Sequence, residues 1–96
     1  MRNRYIVAYD VRDPKRLRGI YLKMRGFGEP LQYSVFVCEL SLKERALMIS
    51  QLTDIINSSE DSIAIVDIGT PHDDLNKRIE LIGRMPDFKE RASVIV

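Results

Sequence analysis

The sequence predicts an α+β domain in which strands and helices follow the order βαββαβ. Two observations support this fold class. Short β-branched and aromatic segments, typical of strands, alternate with longer segments whose apolar residues recur at helical spacing. Helix-start signals precede both of the longer segments. The chain has 96 residues, of which 45% are hydrophobic and 30% charged, so it is long enough for one domain with a modest core.

The first strand and helix have the clearest local signals. Residues 5–9 are apolar on both faces, which predicts a central buried strand ending at Asp10. Asp13 followed by Pro14 is typical of a helix N-cap and first helical position. Gly26 and Gly28 predict the end of this helix. Its apolar face is predicted to contain Leu17, Ile20, Tyr21 and Met24.

The middle of the chain predicts a tight two-strand unit over residues 31–40, followed by a second helix. Alternation places Phe36, Cys38 and Leu40 on one face of the strand. Residues 41–44 form the capping box S-x-x-E, which marks the start of the helix. The buried stripe of this helix is predicted to contain Leu42, Ala46, Ile49, Leu52 and Ile56.

The last third predicts a strand over residues 62–68, a short helix over 74–82 and a short terminal strand over 94–96. The complete order is the ferredoxin-like βαββαβ arrangement with an extra C-terminal strand, in a single domain over residues 1–96. Two helices cover one sheet face, yet Ile6 and Ala8 make the first strand apolar on its other face too. We therefore expect a homodimer with stacked sheets, to which a tail over residues 69–96 contributes.

The charges are distributed unevenly, although the formal net charge is only +1. Residues 1–25 have eight basic and two acidic side chains, whereas residues 26–96 have seven basic and twelve acidic ones. A solvated helix face usually has acidic partners at i+4, and none accompanies this basic cluster. A surface that binds a polyanion is one interpretation, and an ordinary solvated helix face is the other. The cluster consists of Arg12, Lys15, Arg16 and Arg18.

Asp10 is the candidate metal ligand, because functional groups often gather beyond the carboxyl ends of strands. Mg²⁺ prefers oxygen ligands and usually takes one or two carboxylates together with waters and phosphates. One aspartate alone is a poor metal site, whereas two brought together across a dimer axis would make a better one. The alternative is an ordinary turn or capping aspartate.

Other polar groups favour simpler interpretations. An N-capping aspartate beside an exposed histidine explains His72-Asp73-Asp74 without a metal. Cys38 is the only cysteine, which excludes an internal disulfide framework, and it is expected to be an inert core thiol. Ser34 lacks a neighbouring base and is not expected to act as a nucleophile. Apolar runs are too short for a membrane span or a signal peptide, so we expect a cytoplasmic protein with no membrane partner.

Three sequence blocks, in this order and at this spacing, strongly resemble the Cas-two family of small CRISPR-associated proteins. They are YIVAYDV at residues 5–11, RLR at 16–18 and QYSVFVCEL at 32–40. Residues 60–62 and 77–86 extend the resemblance over essentially the whole chain. Members of this family act with the Cas-one integrase in spacer acquisition.

The resemblance implies a ferredoxin-like homodimer in which Asp10 and its symmetry mate are associated with Mg²⁺. It implies either a metal-dependent endonuclease acting on RNA or duplex DNA, or a non-catalytic bridge between integrase dimers that holds duplex DNA. Arg16 and Arg18 match basic positions of the first helix. The positions beside the site are matched by Tyr9, Ser34 and Phe36.

The chain departs from the family pattern at two positions. Leu31 stands where many members have a basic residue, and Tyr33 stands where some have lysine. Both changes remove a basic group that could bind phosphate, so we expect weaker cleavage, with duplex binding kept by Arg12, Arg16 and Arg18.

Two other function classes are compatible with the fold. One is a toxin-like messenger-RNA interferase, which single-stranded RNA as sole substrate would favour. The other is a small-molecule regulatory domain of ferredoxin-like fold. That class needs a glycine-lined ligand loop, whereas Gly26 and Gly28 are expected at a helix end, and it leaves the basic first quarter unexplained.

Overall fold

A computed structural model describes residues 1–84 of the chain and confirms the βαββαβ order. The four strands form one antiparallel sheet in the order β2-β3-β1-β4, which is the ferredoxin-like topology. In residues 1–84, no helix is long and apolar enough to cross a membrane. The elements are β1 (Asn3–Asp10), α1 (Pro14–Met24), β2 (Gly28–Gln32), β3 (Val35–Leu40), α2 (Leu42–Ile55) and β4 (Ser62–Asp67).

Both predicted helix starts are confirmed by their caps. The Asp13 side chain accepts a hydrogen bond from the Arg16 N–H, and Pro14 occupies the first helical position. At the start of α2, the Ser41 hydroxyl and the Glu44 carboxylate each accept a hydrogen bond from the other residue's backbone N–H. These local bonds satisfy N–H groups that a helix start leaves without intrahelical partners.

The core lies between the sheet and the two helices. Alternate residues of β1 and β3 face the helices and are buried there. Cys38 belongs to this set, and burial raises the pKa of its thiol to about 11, which confirms an inert core cysteine. The other buried strand residues are Tyr5, Val7, Tyr9, Phe36 and Leu40, and the buried helix residues are Ile20, Tyr21, Met24, Met48 and Leu52.

The predicted helix stripes were partly wrong. Leu42 at the first position of α2 is 78% exposed, and Ala46 is exposed as well. The stripe that packs on the sheet instead runs through Met48, Leu52 and Ile55, at i, i+4 and i+7. Leu17 of α1 is also exposed. Sequence spacing allowed two neighbouring stripes in α2, and packing against the sheet selected one of them.

The segment after β4, residues 68–78, turns back to the start of β1, and we call it the returning segment. The Arg4 N–H donates to the Gly69 carbonyl, and the Ile68 N–H donates to the Arg4 carbonyl. The buried Arg4 guanidinium then pairs with Asp73 at 2.9 Å. The helix predicted over residues 74–82 is only a 3₁₀ turn, Leu75–Arg78. The strand predicted at residues 94–96 lies outside the described residues.

The sheet face opposite the helices, here called the open face, is largely apolar. Register places Ile6 beside Val37 and Val66, and Ala8 beside Val35 and Ala64. Val66 is 51% exposed, and the other side chains of this face are not fully buried. The returning segment covers only the end of this face near Arg4. A cleft of about 650 Å³ lies between them and is lined by Arg4, Val37 and Asp73, among others.

The β2–β3 hairpin depends on a close backbone approach at Gly28, which lies in β2 rather than at the end of α1. A Cβ atom at this position would lie 2.4 Å from the Val37 carbonyl oxygen and 2.6 Å from the Cys38 sulfur. Gly19 inside α1 has ordinary space, since a Cβ there would lie 3.5 Å from the Ile55 side chain.

These two glycines predict opposite effects of the same substitution. Gly28→Ala should lower the free energy of unfolding, because the methyl group forces β2 away from β3. Gly19→Ala should raise it by roughly 0.5–1 kcal/mol, because alanine has the better helix propensity. Urea unfolding followed by circular dichroism measures both values. Equal stability of the Gly28→Ala variant and the unmodified protein would contradict the tight strand pairing.

Candidate functional site

Asp10 is the last residue of β1, and it lies on the open face. It pairs in register with Ser62 at the start of β4, and it alternates with Ala8 and Ile6 along the strand. The carboxylate is exposed and makes no hydrogen bond or ion pair with any residue between 1 and 84. An aspartate used only as a cap or turn would hydrogen-bond to nearby backbone, so this carboxylate is available for a ligand.

The Asp10 carboxylate is a suitable ligand for magnesium, but it does not form a complete magnesium site by itself. Within residues 1–84, no group of three or more His, Cys, Asp or Glu residues could hold a metal ion. Magnesium commonly needs only one or two protein carboxylates, with water and phosphate oxygens completing its shell. Asp10 together with a second Asp10 from another copy would meet that requirement.

The His72-Asp73-Asp74 segment has ordinary structural roles, as the sequence predicted. The His72 ring Nδ1 lies 2.9 Å from the Thr70 carbonyl oxygen. Asp73 pairs with Arg4 and with Arg78, which hold its pKa below the usual range. Asp74 caps the 3₁₀ turn. All three polar groups are accounted for without a metal.

Arg16 has acidic partners that the sequence pattern did not reveal. Its Nε lies 2.8 Å from Oδ2 of Asp61, and its Nη2 lies 2.9 Å from Oε1 of Glu60. The side chain of Asp61 is completely buried. This pairing holds the pKa of Asp61 well below its usual range and raises the pKa of Arg16. The arginine thus binds the loop before β4 instead of pointing freely into solvent.

The remaining basic residues of the cluster behave differently, and we call them the basic surface. Arg12, Lys15 and Arg18 are exposed. Their side chains make no ion pair or hydrogen bond with residues 1–84. They recur at every third residue, so Lys15 and Arg18 share one face of α1. Arg12 follows Asp10 by two residues, so it is the member of the basic surface nearest to the free carboxylate along the chain.

Two predicted neighbours of the site, Tyr9 and Phe36, form its support rather than its surface. Tyr9 is buried, and its hydroxyl donates to the Tyr33 carbonyl oxygen at 2.7 Å. Burial raises the pKa of this phenol. Phe36 is fully buried against Tyr9 and Tyr21, with ring centroids 6.3 and 5.6 Å apart. Ser34 is half-buried at the hairpin turn, and its carbonyl accepts the Tyr9 N–H. These contacts fix the end of β1, where Asp10 lies.

Comparison with known proteins identifies the family. The family model described as "CRISPR associated protein Cas2" matches residues 2–75. A protein of Rhodospirillum rubrum named "CRISPR-associated endoribonuclease Cas2 1" is 37% identical over 92 residues, covering 96% of this chain and 89% of that protein. A protein of Geobacter sulfurreducens named "CRISPR-associated endoribonuclease Cas2" is 38% identical over 96 residues, covering both chains completely.

Solved structures agree with the sequence relatives. The crystal structure of Streptococcus pyogenes Cas2 superposes with a TM-score of 0.71 at 30% identity, covering 83% of this chain and 99% of that one. A hypothetical protein from Thermus thermophilus, TT1823, has the same fold with a TM-score of 0.74 at 23% identity, covering 90% and 96% of the two chains. Family match, relatives and fold agree over most of the chain, which therefore belongs to the Cas2 (Cas-two) family of CRISPR-associated proteins.

Proposed function

We propose that this chain is a CRISPR adaptation protein that binds duplex DNA as a homodimer in the cytoplasm and bridges the Cas-one integrase. We propose further that it hydrolyses phosphodiester bonds in a Mg²⁺-dependent reaction. One observation carries the proposal: the unpaired Asp10 carboxylate lies on the open apolar face, two residues from the basic surface. Relatives named as endoribonucleases support the nuclease activity and make RNA the competing substrate.

The composition of the open face supports the proposed homodimer. Two copies stacked through Ile6, Val35 and Val66 would remove apolar surface from water on both. The returning segment covers the Arg4 end of the face, which leaves the Asp10 end uncovered. A two-fold axis near that uncovered end would bring the two Asp10 carboxylates toward each other.

Each group has a distinct role in the proposed reaction. Asp10 from both copies would hold magnesium, which when bound supplies a polarised phosphate and a hydroxide at neutral pH. The basic surface of Arg12, Lys15 and Arg18 would bind backbone phosphates and orient the nucleic acid across the dimer. The Ser34 hydroxyl, near the end of β1, would donate a hydrogen bond to a phosphate oxygen. Arg16 is engaged by Asp61, so we assign it to the support of the site.

The catalytic part of the proposal predicts the effect of Asp10→Asn, which keeps the size of the side chain and removes its charge. Mg²⁺-dependent cleavage should fall at least about 100-fold, because a metal ligand is removed. Asp54→Asn is the matched control, since Asp54 is an exposed carboxylate on α2 without a partner in residues 1–84. Labelled duplex DNA and single-stranded RNA are each incubated with Mg²⁺ and with EDTA. Equal cleavage by all three proteins, or none over the neutral pH range, would refute the catalytic role.

The binding part predicts a change in salt dependence. Lys15→Gln combined with Arg18→Gln should weaken duplex binding and reduce the slope of log K against log salt by about one for each phosphate that the variant no longer neutralises. Lys43→Gln combined with Lys77→Gln removes the same charge elsewhere and should leave the slope unchanged. Fluorescence anisotropy with labelled duplex DNA measures the slopes. Identical slopes for the two double variants would argue against the basic surface.

A further inference from the structure

Asp61 is a buried carboxylate that joins three separate parts of the chain. Its Oδ1 accepts from the Arg12 backbone N–H at 3.0 Å and from Nη2 of Arg16 at 3.2 Å. Its Oδ2 accepts from Nε of Arg16 at 2.8 Å and from the Asn57 backbone N–H at 2.9 Å. Four donors therefore converge on two oxygens, which fully uses the acceptor capacity of an ionised carboxylate.

The bonds of Asp61 are connected to Asp10 in two ways, through the chain that follows β1 and through the neighbouring strand β4. Arg12 follows Asp10 by two residues, and its N–H is bound directly to Asp61. Ser62 follows Asp61 and is the cross-strand partner of Asp10. Asp61 is thus tied to the chain leaving β1 and also to the strand beside β1. A shift of this carboxylate would move both neighbours of Asp10.

We propose that Asp61 is a positioning residue that sets the orientation of Asp10 and of the basic surface relative to each other. The inference rests on the proposed function, because it gives that site its internal support. Arg16 is the cationic partner that makes burial of the Asp61 charge tolerable. The Asp61–Arg16 pair also holds the first turn of α1, and that turn contains Lys15.

Asparagine cannot replace this carboxylate. Its single carbonyl oxygen could accept from one side, but its amide group would present hydrogens to the N–H donors on the other side. One backbone N–H and one side of the guanidinium would then be left without an acceptor. Asp61→Asn keeps the shape and nearly the volume of the side chain but loses two of the four hydrogen bonds to it, so it tests the positioning role of Asp61.

The same substitution separates positioning from simple charge. Asp61→Asn raises the net charge by one and leaves Glu60 as the only carboxylate paired with Arg16 among residues 1–84. If charge alone determined binding, duplex affinity would rise, because a negative charge is removed beside the first turn of α1. If Asp61 acts through position, affinity and turnover both fall despite the added charge. The two explanations therefore predict opposite signs.

The experiment compares Asp61→Asn with Ser41→Ala, which destabilises the protein through the cap of α2, away from the site. Both are assayed at a temperature where circular dichroism shows them fully folded. Asp61→Asn should reduce kcat about 10-fold or more and weaken duplex binding, whereas folded Ser41→Ala should match the unmodified protein. Arg16→Lys keeps the charge but removes the planar guanidinium that binds Asp61 through two nitrogens, so it should reduce kcat and duplex affinity less. This variant replaces Asp61→Asn in the experiment if Asp61→Asn does not fold.

A readout without nucleic acid keeps this proposal separate from the function it supports. Amide hydrogen exchange of Arg12, and the backbone resonances of Asp10 and Ser62, should change in Asp61→Asn and Arg16→Lys but not in Ser41→Ala. If the unmodified protein neither cleaves nor binds nucleic acid while these changes occur, the proposed function fails and the positioning stands. Unchanged Asp10 resonances, or tighter duplex binding by folded Asp61→Asn, would overturn the positioning role.

Discussion

The alternation of side chains along β1 determines which residues of this strand enter the core and which form the open face that ends at Asp10. One set of residues, including Tyr5 and Val7, faces the helices and is buried. The other set, including Ile6 and Ala8, faces away from the helices and ends in Asp10. A strand that is apolar on both faces, with helices on only one, leaves apolar surface that water covers poorly. The free carboxylate stands at the edge of that surface because the same two-residue period extends to the last residue of the strand.

Local signals predicted the parts of the fold that are determined locally. The caps at Asp13 and Ser41 and the pattern of β1 each depend on residues only a few positions apart, and all three are present in the structure. Predictions that depended on packing were less accurate. Leu42 and Ala46 fit a helical stripe, but which stripe is buried depends on how α2 lies on the sheet, and a single helix pattern does not specify this.

The candidate site divides in the same way. Asp10 and the basic surface could be found from the sequence, because they cluster at the junction of one strand and one helix. The absence of acidic partners at i+4 suggested that Arg16 was free, yet its partner Asp61 is 45 positions away in the chain. No local spacing connects these two residues. Only the antiparallel pairing of β1 with β4 brings the loop before β4 against the start of α1.

The returning segment restricts how a second copy can cover the open face. Arg4 is nearly fully buried, and its guanidinium is bound by Asp73 and Glu39. A partner covering the whole face would have to displace Asp73 and leave a buried cation with less compensation, which is costly. A partner stacked on the end near Asp10 leaves this pairing intact and still buries Ala8 and Val35. The arrangement that preserves the Arg4 pairing would also bring the two Asp10 carboxylates of the proposed dimer toward each other, so the position of the segment and the proposed metal site favour the same dimer.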